Sequence, residues 1–313
     1  DTAMDIAELR KDAGHAVSQL QQTHVAWKGE IPRLLRAARE AKARWLLNEA
    51  GALAEARDAY LKAFRATRGT WTGINAATLT LVAGDEAAAL RLADEVDELL
   101  RTVPAAEQGG FWHLATMADV ALIRGQPDEA ASLYAQAIKS APRAFGDFRS
   151  ARDNALVILA ARGQSSAALK GVFPGIGVAA FSGHTIDTGD REAPRFPASA
   201  EATVAAQIKE AIAKHGVEIG ISAAACGADI LFLEALQAQG KETHIILPHP
   251  AEDFRRISVT DKAGEAWGRR FDEVMRKADM VTVLSSYPGE DLAYQFQGSV
   301  IAGSALLRAE AVG

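Results

Sequence analysis

The 313-residue sequence predicts an α-helical repeat array over residues 1–170 and a parallel-sheet α/β domain over residues 171–313. A glycine-led motif recurs through the first half, strand-forming segments are missing before Leu169, and strand and helix then alternate strictly. A chain of this length exceeds one ordinary core and suits two of about 150 residues each.

Bulk composition narrows the class. Apolar residues make up 49% and charged residues 24%, the proportions of packed globular domains. The net charge of -6 repels phosphate backbones, and no stretch interleaves Lys and Arg with aromatics, so nucleic acid is not an expected partner. The one cysteine, Cys226, rules out an intrachain disulfide and an all-cysteine metal site. That usage suits a reducing compartment, and a cytoplasmic location is the expectation. No apolar run approaches the roughly 18 residues of a membrane span, so no membrane partner is expected. The chain begins at Asp1 rather than at a methionine, which leaves room for further sequence on either side.

Residues 5–169 are rich in Ala, Leu, Glu and Arg, the composition of packed helices. Within them a turn glycine is followed by Ala five residues on, an apolar residue nine on and a small apolar residue twelve on. Gly51 leads to Ala56, Tyr60 and Ala63; Gly84 leads to Ala89, Ala93 and Val96; Gly125 leads to Ala130, Tyr134 and Ala137, with Pro142 closing the unit. Gly163 and Ala168 fit the start of a fourth. The reason is steric: glycine lets the backbone turn sharply between antiparallel helices, and alanine lets their axes approach. The spacing is irregular, 33 residues from Gly51 to Gly84 and 41 from Gly84 to Gly125, and the segment TVPAAEQGG absorbs the excess as a loop. The motif resembles the tetratricopeptide repeat, and Leu114 to Pro142 is nearly a consensus match. The segments TGINAATLTLVAGDEAAALRLADEV and FWHLATMADVALIRGQPDEA also resemble the helical region in the central regulatory part of apoptosis signal-regulating kinases. These resemblances imply a scaffold for protein contacts, including self-association. Trp27, Trp45, Trp71 and Trp112 read as core aromatics, and His15, His24 and His113 as surface or core fillers.

Beyond Leu169 the glycines and proline Gly171, Pro174, Gly175 and Gly177 mark a junction. Strands follow at 175–181, 217–222, 242–247 and 280–285, and helices at 199–215, 227–239, 265–278 and 292–308. Strict alternation implies a parallel sheet with right-handed crossovers, of the Rossmann-like kind. Helices are expected on both faces, and the carboxyl ends of all strands along one edge, where ligands bind.

The corners at that edge carry the chemistry. Ser182, Gly183 and His184 follow the first strand, where glycine lets amides approach an anion. Ser222, Ala225, Cys226, Gly227 and Asp229 follow the second, small residues leading into the positive end of a helix. Pro248 and His249 end the third, and Ser285 and Ser286 the fourth. Together they form a candidate phosphate-friendly cleft. His184, Asp187, Cys226 and His249 are zinc-ligand types, but their spacing matches no zinc pattern and no metal is expected. Cys226 at a helix start reads either as an activated thiol or simply as a small residue. The loop between His184 and Ser199, with Asp190, Arg191 and Arg195, is long enough to be a flap. Its arginines either pair with phosphates or are solvated, and the same choice applies to Arg255 and Arg256, next to Asp253.

The segment VEIGISAAACGADILFLEALQAQGKETHIIL, Val217 to Leu247, resembles the core of the SLOG superfamily. That group includes the DNA-processing protein DprA, the Lonely Guy phosphoribohydrolases and several sensor domains. The resemblance implies that Ser182, Gly183 and His184 form a first ligand loop. It implies likewise that Ala225 to Asp229 meet a nucleotide's phosphate or ribose, with Asp229 capping its own helix. The catalytic branch carries PGGxGTxxE after its last core strand, whereas this chain reads SSYPGEDLAYQF. Glu290 and Asp291 are the candidates for the acid's place, but without the glycine pair the second phosphate cradle is incomplete. The expectation is a sensing module that binds a nucleotide-derived ligand, with no other cofactor. The repeat region would engage a protein partner, a fused effector or a second copy. A nucleotide hydrolase and a pure scaffold are the alternatives.

Overall fold

The computed structural model describes residues 30–188, 192–286 and 291–313. Two compact units divide them: the first runs to Phe173 without Phe145–Arg149, and the second holds those five residues and Pro174–Gly313.

In the first unit, helix α1 over 30–46 is followed by α2 (Ala52–Thr67), α3 (Thr70–Val82), α4 (Glu86–Arg101), α5 (Phe111–Ile123), α6 (Pro127–Ser140) and, from residue 150 on, α7 (Phe145–Ala161). Gly51, Gly84 and Gly125 all take left-handed backbone at the turn before the second helix of each hairpin. The three motif residues after each glycine are fully buried, which is why the spacing repeats. Alanine and glycine set the helix separation: a Cβ at Gly73 would lie 2.6 Å from Val96 Cγ2 and 2.7 Å from Phe64 Cε2. Helix α3 therefore passes directly against α2 and α4. The fourth repeat breaks off, because after Gly163 a short 3-10 turn, Ser166–Leu169, replaces a second helix. Trp71 and Trp112 are 37% and 47% exposed, so they are not the core residues expected. They lie in the first turns of α3 and α5, where Arg39 over the Trp71 ring, Tyr60 at its edge and Phe111 beside Trp112 cover them only in part. Trp27, His15 and His24 lie outside the described residues.

The motif tyrosine of the third repeat carries a polar tip into the core. Tyr134 donates its hydroxyl proton to Asp119, whose other oxygen accepts from Asn154 Nδ2 at 2.8 Å. Burial pushes the Asp119 carboxyl up to about 7, against the lowering effect of these two bonds and of the Lys42 charge. Lys42, held down by burial, donates to Asn75 Oδ1 at 2.6 Å.

In the second unit, strands β1 (Gly177–Phe181), β2 (Val217–Ser222), β3 (Glu242–Leu247) and β4 (Met280–Val283) form one parallel sheet in the order β1-β2-β3-β4. The connections carry α8 (Glu201–Lys214), α9 (Ala228–Gln237), the short α10 (Ala251–Arg255) and α11 (Asp261–Ala263) flanking a π-helical turn, and α12 (Glu265–Lys277). Helix α13 (Asp291–Val312) ends the chain.

Helices lie on both faces of the sheet, as expected, and the strand order divides them unevenly. When every crossover steps the same way with the same hand, all crossover helices fall on one face. Ile208 and Ile212 of α8, Phe232 and Leu236 of α9 and Phe271 of α12 accordingly share one core with Ile245 and Leu247. The opposite face is covered by α13, whose Ile301 and Ala305 pack on Ile221 and Ile246. Helix α9 lies so close to the sheet that a Cβ at Gly220 would sit 2.1 Å from Leu236 Cδ1. No described helix is long and apolar enough to cross a membrane.

Asp119 yields a pH prediction. Its folded value of about 7 lies above the ordinary 3.8, so its contribution to stability is present below about pH 4 and is lost as pH rises through about 7. In urea titrations the unfolding free energy of the wild type should therefore fall relative to Asp119→Asn between pH 4 and pH 8, by roughly 2–4 kcal/mol.

Candidate functional site

A parallel sheet delivers the carboxyl ends of its strands to one rim, and here the first two corners are fastened to each other there. Ile186 N–H donates to Cys226 O at 3.1 Å, and Ala228 N–H to His184 O at 3.1 Å. Thr185 and Gly227 form an antiparallel bridge. Ser222 Oγ donates to Phe181 O at 3.0 Å, tying the strand ends together. A third segment joins where Cys226 N–H donates to Ser258 O at 3.2 Å.

Two glycines make this approach possible. Gly227 has φ 110, and a Cβ there would lie 2.6 Å from both His184 O and Ile186 N. A Cβ at Gly183 would lie 2.4 Å from the Cβ of Ala228. Both contacts are shorter than real side-chain contacts, so the glycines serve loop-to-loop packing.

Asp229 completes the fastening. Its Oδ1 accepts from Gly183 N–H at 3.0 Å, across the gap between the corners. Burial pushes its carboxyl up to about 7, and hydrogen bonds from the Gly183 and Ala225 amides pull the other way. The expected role was a cap on its own helix, but the residue at that cap position is Gly227, and the Asp229 carboxylate reaches to the other loop. The amides of Gly183, Ile186, Cys226 and Ala228 are thus already bonded within the protein. Gly183, Cys226 and Ala228 are among the residues that the sequence offered to an anion.

Beside the fastened corners lies a cavity of about 380 Å³. Ala180, Phe181 and Ser182 line it from the end of β1, Ala223, Ala225 and Asp229 from the β2 corner, and Phe254 from α10. Helix α13 supplies the remaining wall with Tyr294, Gln297, Gly298, Ile301 and Ala302. Tyr294 OH lies 3.1 Å from His249 Nε2 and 3.2 Å from Ser258 Oγ. Gln297 donates its amide to Ile246 O. The polar side chains of the lining are Ser182, Asp229, Tyr294 and Gln297, with no Lys or Arg among the described residues.

Of the residues singled out in the sequence, Ser182, Ala225 and Asp229 reach the cavity, while Gly183, His184 and Gly227 build the contact between the loops. Ser222 is buried, and its hydroxyl is used within the sheet. Cys226 is enclosed in the apolar core, where burial pushes its thiol up rather than activating it. Pro248 is buried behind β3, and Ser285 and Ser286 follow β4 outside the cavity lining. Glu290 and the side chain of Asp291 lie outside the described residues, as do Asp190 and Arg191. Asp187 Oδ2 accepts the amides of Arg195 and Phe196, each at 2.8 Å, and so pins the far end of the long loop. Arg255 pairs with Asp272 and Glu265, and Arg256 with Asp253, so these cations are satisfied by neighbouring acids. The α13 wall was missed; its signal is the pair of small residues Gly298 and Ala302, one turn apart on one helix face.

A family model described as Tetratricopeptide Repeats-Sensor matches residues 4–80. That match supports the repeat character of the first part of the chain and a protein-interaction or sensor role for it. No curated protein and no solved structure matches the chain.

The fastening can be tested at Gly227. Gly227→Ala should lower unfolding free energy by about 2 kcal/mol or more through steric overlap and backbone strain. Gly240→Ala serves as control, because that glycine has φ 68 but open space around it. Equal losses for both variants in urea denaturation would show that loop contact adds nothing to backbone strain.

Proposed function

We propose that the α/β unit binds a nucleotide-derived small molecule in the cavity between the β1 and β2 corners and α13, and that the repeat region carries the protein contacts through which binding is sensed. The observation that carries this reading is the cavity itself. It stands at the carboxyl rim of a parallel sheet, the place where α/β proteins hold ligands, and pairs apolar walls with a few convergent polar groups. The SLOG-like segment from Val217 to Leu247 contributes the β2 corner to its lining, which is the second support. The departure of SSYPGEDLAYQF from PGGxGTxxE favours binding over hydrolysis. Contacts to a second copy or to an effector would be made by the repeats, in a cytoplasmic setting that suits the single cysteine.

Isothermal titration of the full chain against nucleosides, nucleotides, dinucleotides and ADP-ribose tests the ligand. Saturable one-to-one binding of at least one compound is expected. Gly298→Phe, at a position with open space for a side chain, should weaken it at least tenfold while leaving the melting temperature nearly unchanged. Silence across the whole set, or binding indifferent to Gly298→Phe, would remove the cavity from the account.

A further inference from the structure

The fastening of the corners changes what the cavity can hold. Four amides of these corners are spent inside the protein, and the one charged side chain of the described lining is an acid, Asp229. A phosphate pushed into this space would face a carboxylate with no cation beside it, and desolvated like charges are costly.

The same carboxylate suits a neutral donor. An ionised carboxylate offers about four acceptor sites. The amides of Gly183 and Ala225 occupy two of them here. That leaves acceptor capacity for two further donors. Of the other polar groups, the Tyr294 hydroxyl is shared with His249 and Ser258, and Gln297 commits its amide N–H to Ile246 O. Phe181, Ala225 and Ile301 provide apolar surface for the carbon face of a sugar ring.

Resting on the ligand reading above, we propose that Asp229 recognises the vicinal 2′,3′-diol of a ribose, so that the ligand enters sugar first and any phosphate stays outside the cavity. The recognised class is a ribosyl compound rather than a phosphate, and the wall disfavours inorganic phosphate and a sugar without the diol.

AMP, GMP, CMP and UMP are titrated into the full chain at pH 8, followed by the nucleoside and the 2′,3′-dideoxy form of whichever binds and, for AMP, GMP or CMP, by the form lacking the exocyclic amino group. The nucleoside should bind within about threefold of its monophosphate, and the dideoxy compound at least tenfold more weakly. Asp229→Asn should lose the same factor for the ribonucleotide and leave the dideoxy compound unaffected. Equal affinity for ribo and dideoxy forms overturns the proposal while the ligand reading stands. Competition by inorganic phosphate, loss of binding on removing the phosphate, or sensitivity to the amino group in place of the diol does the same. If neither these four nor any dinucleotide or ADP-ribose binds, the ligand reading falls and the proposal falls with it.

Discussion

The rim of the α/β unit depends on one close contact, the seating of the β1 corner against the β2 corner at Gly227. Because a side chain at that position would overlap His184 O and Ile186 N, only glycine lets the two loops come within hydrogen-bonding range. Once they do, Ile186, Ala228 and Gly183 find their acceptors, and Asp229 is drawn into the space between. The contact fixes the position of Ser182 and Ala225 on the cavity wall. It also consumes the amides of Gly183, Ile186 and Ala228.

The second determinant is the order of the strands. With β1 to β4 adjacent in sequence, the crossovers leave one face of the sheet, among the described elements, to α13. The cavity is consequently a space between strand ends and a single long helix rather than a crevice where strand order reverses. Its depth is set by side chains on α13: Gln297 anchors the helix to Ile246 O, and Gly298 and Ala302 leave the mouth open.

What could be read in advance follows from the range of the interactions concerned. Turn glycines and buried alanines repeat at fixed spacing because each hairpin solves the same local packing problem, so Ala56, Ala89 and Ala130 were legible without coordinates. Strand positions were legible for a similar reason, since apolar runs bounded by turn residues report local burial. The destination of the Asp229 carboxylate was not legible, because local sequence offers its own helix as the nearest donor, whereas Gly183 lies 46 positions away. Tyr294 and Gln297 escaped notice for the same cause: which face of α13 meets the sheet depends on strand order, a long-range property. Trp71 and Trp112 look like core aromatics by composition, yet their place in the first turn of a helix leaves them partly uncovered.

The central claim is that a ligand sits between the strand corners and α13. Hydrogen–deuterium exchange of the full chain, with and without a saturating nucleotide, addresses it most directly. The account predicts slowed exchange in residues 180–185, 223–231 and 292–303 together, with the α3 and α5 peptides of the repeat unit unaffected by direct contact. Protection confined to the repeat helices, with those three segments unchanged, would contradict it.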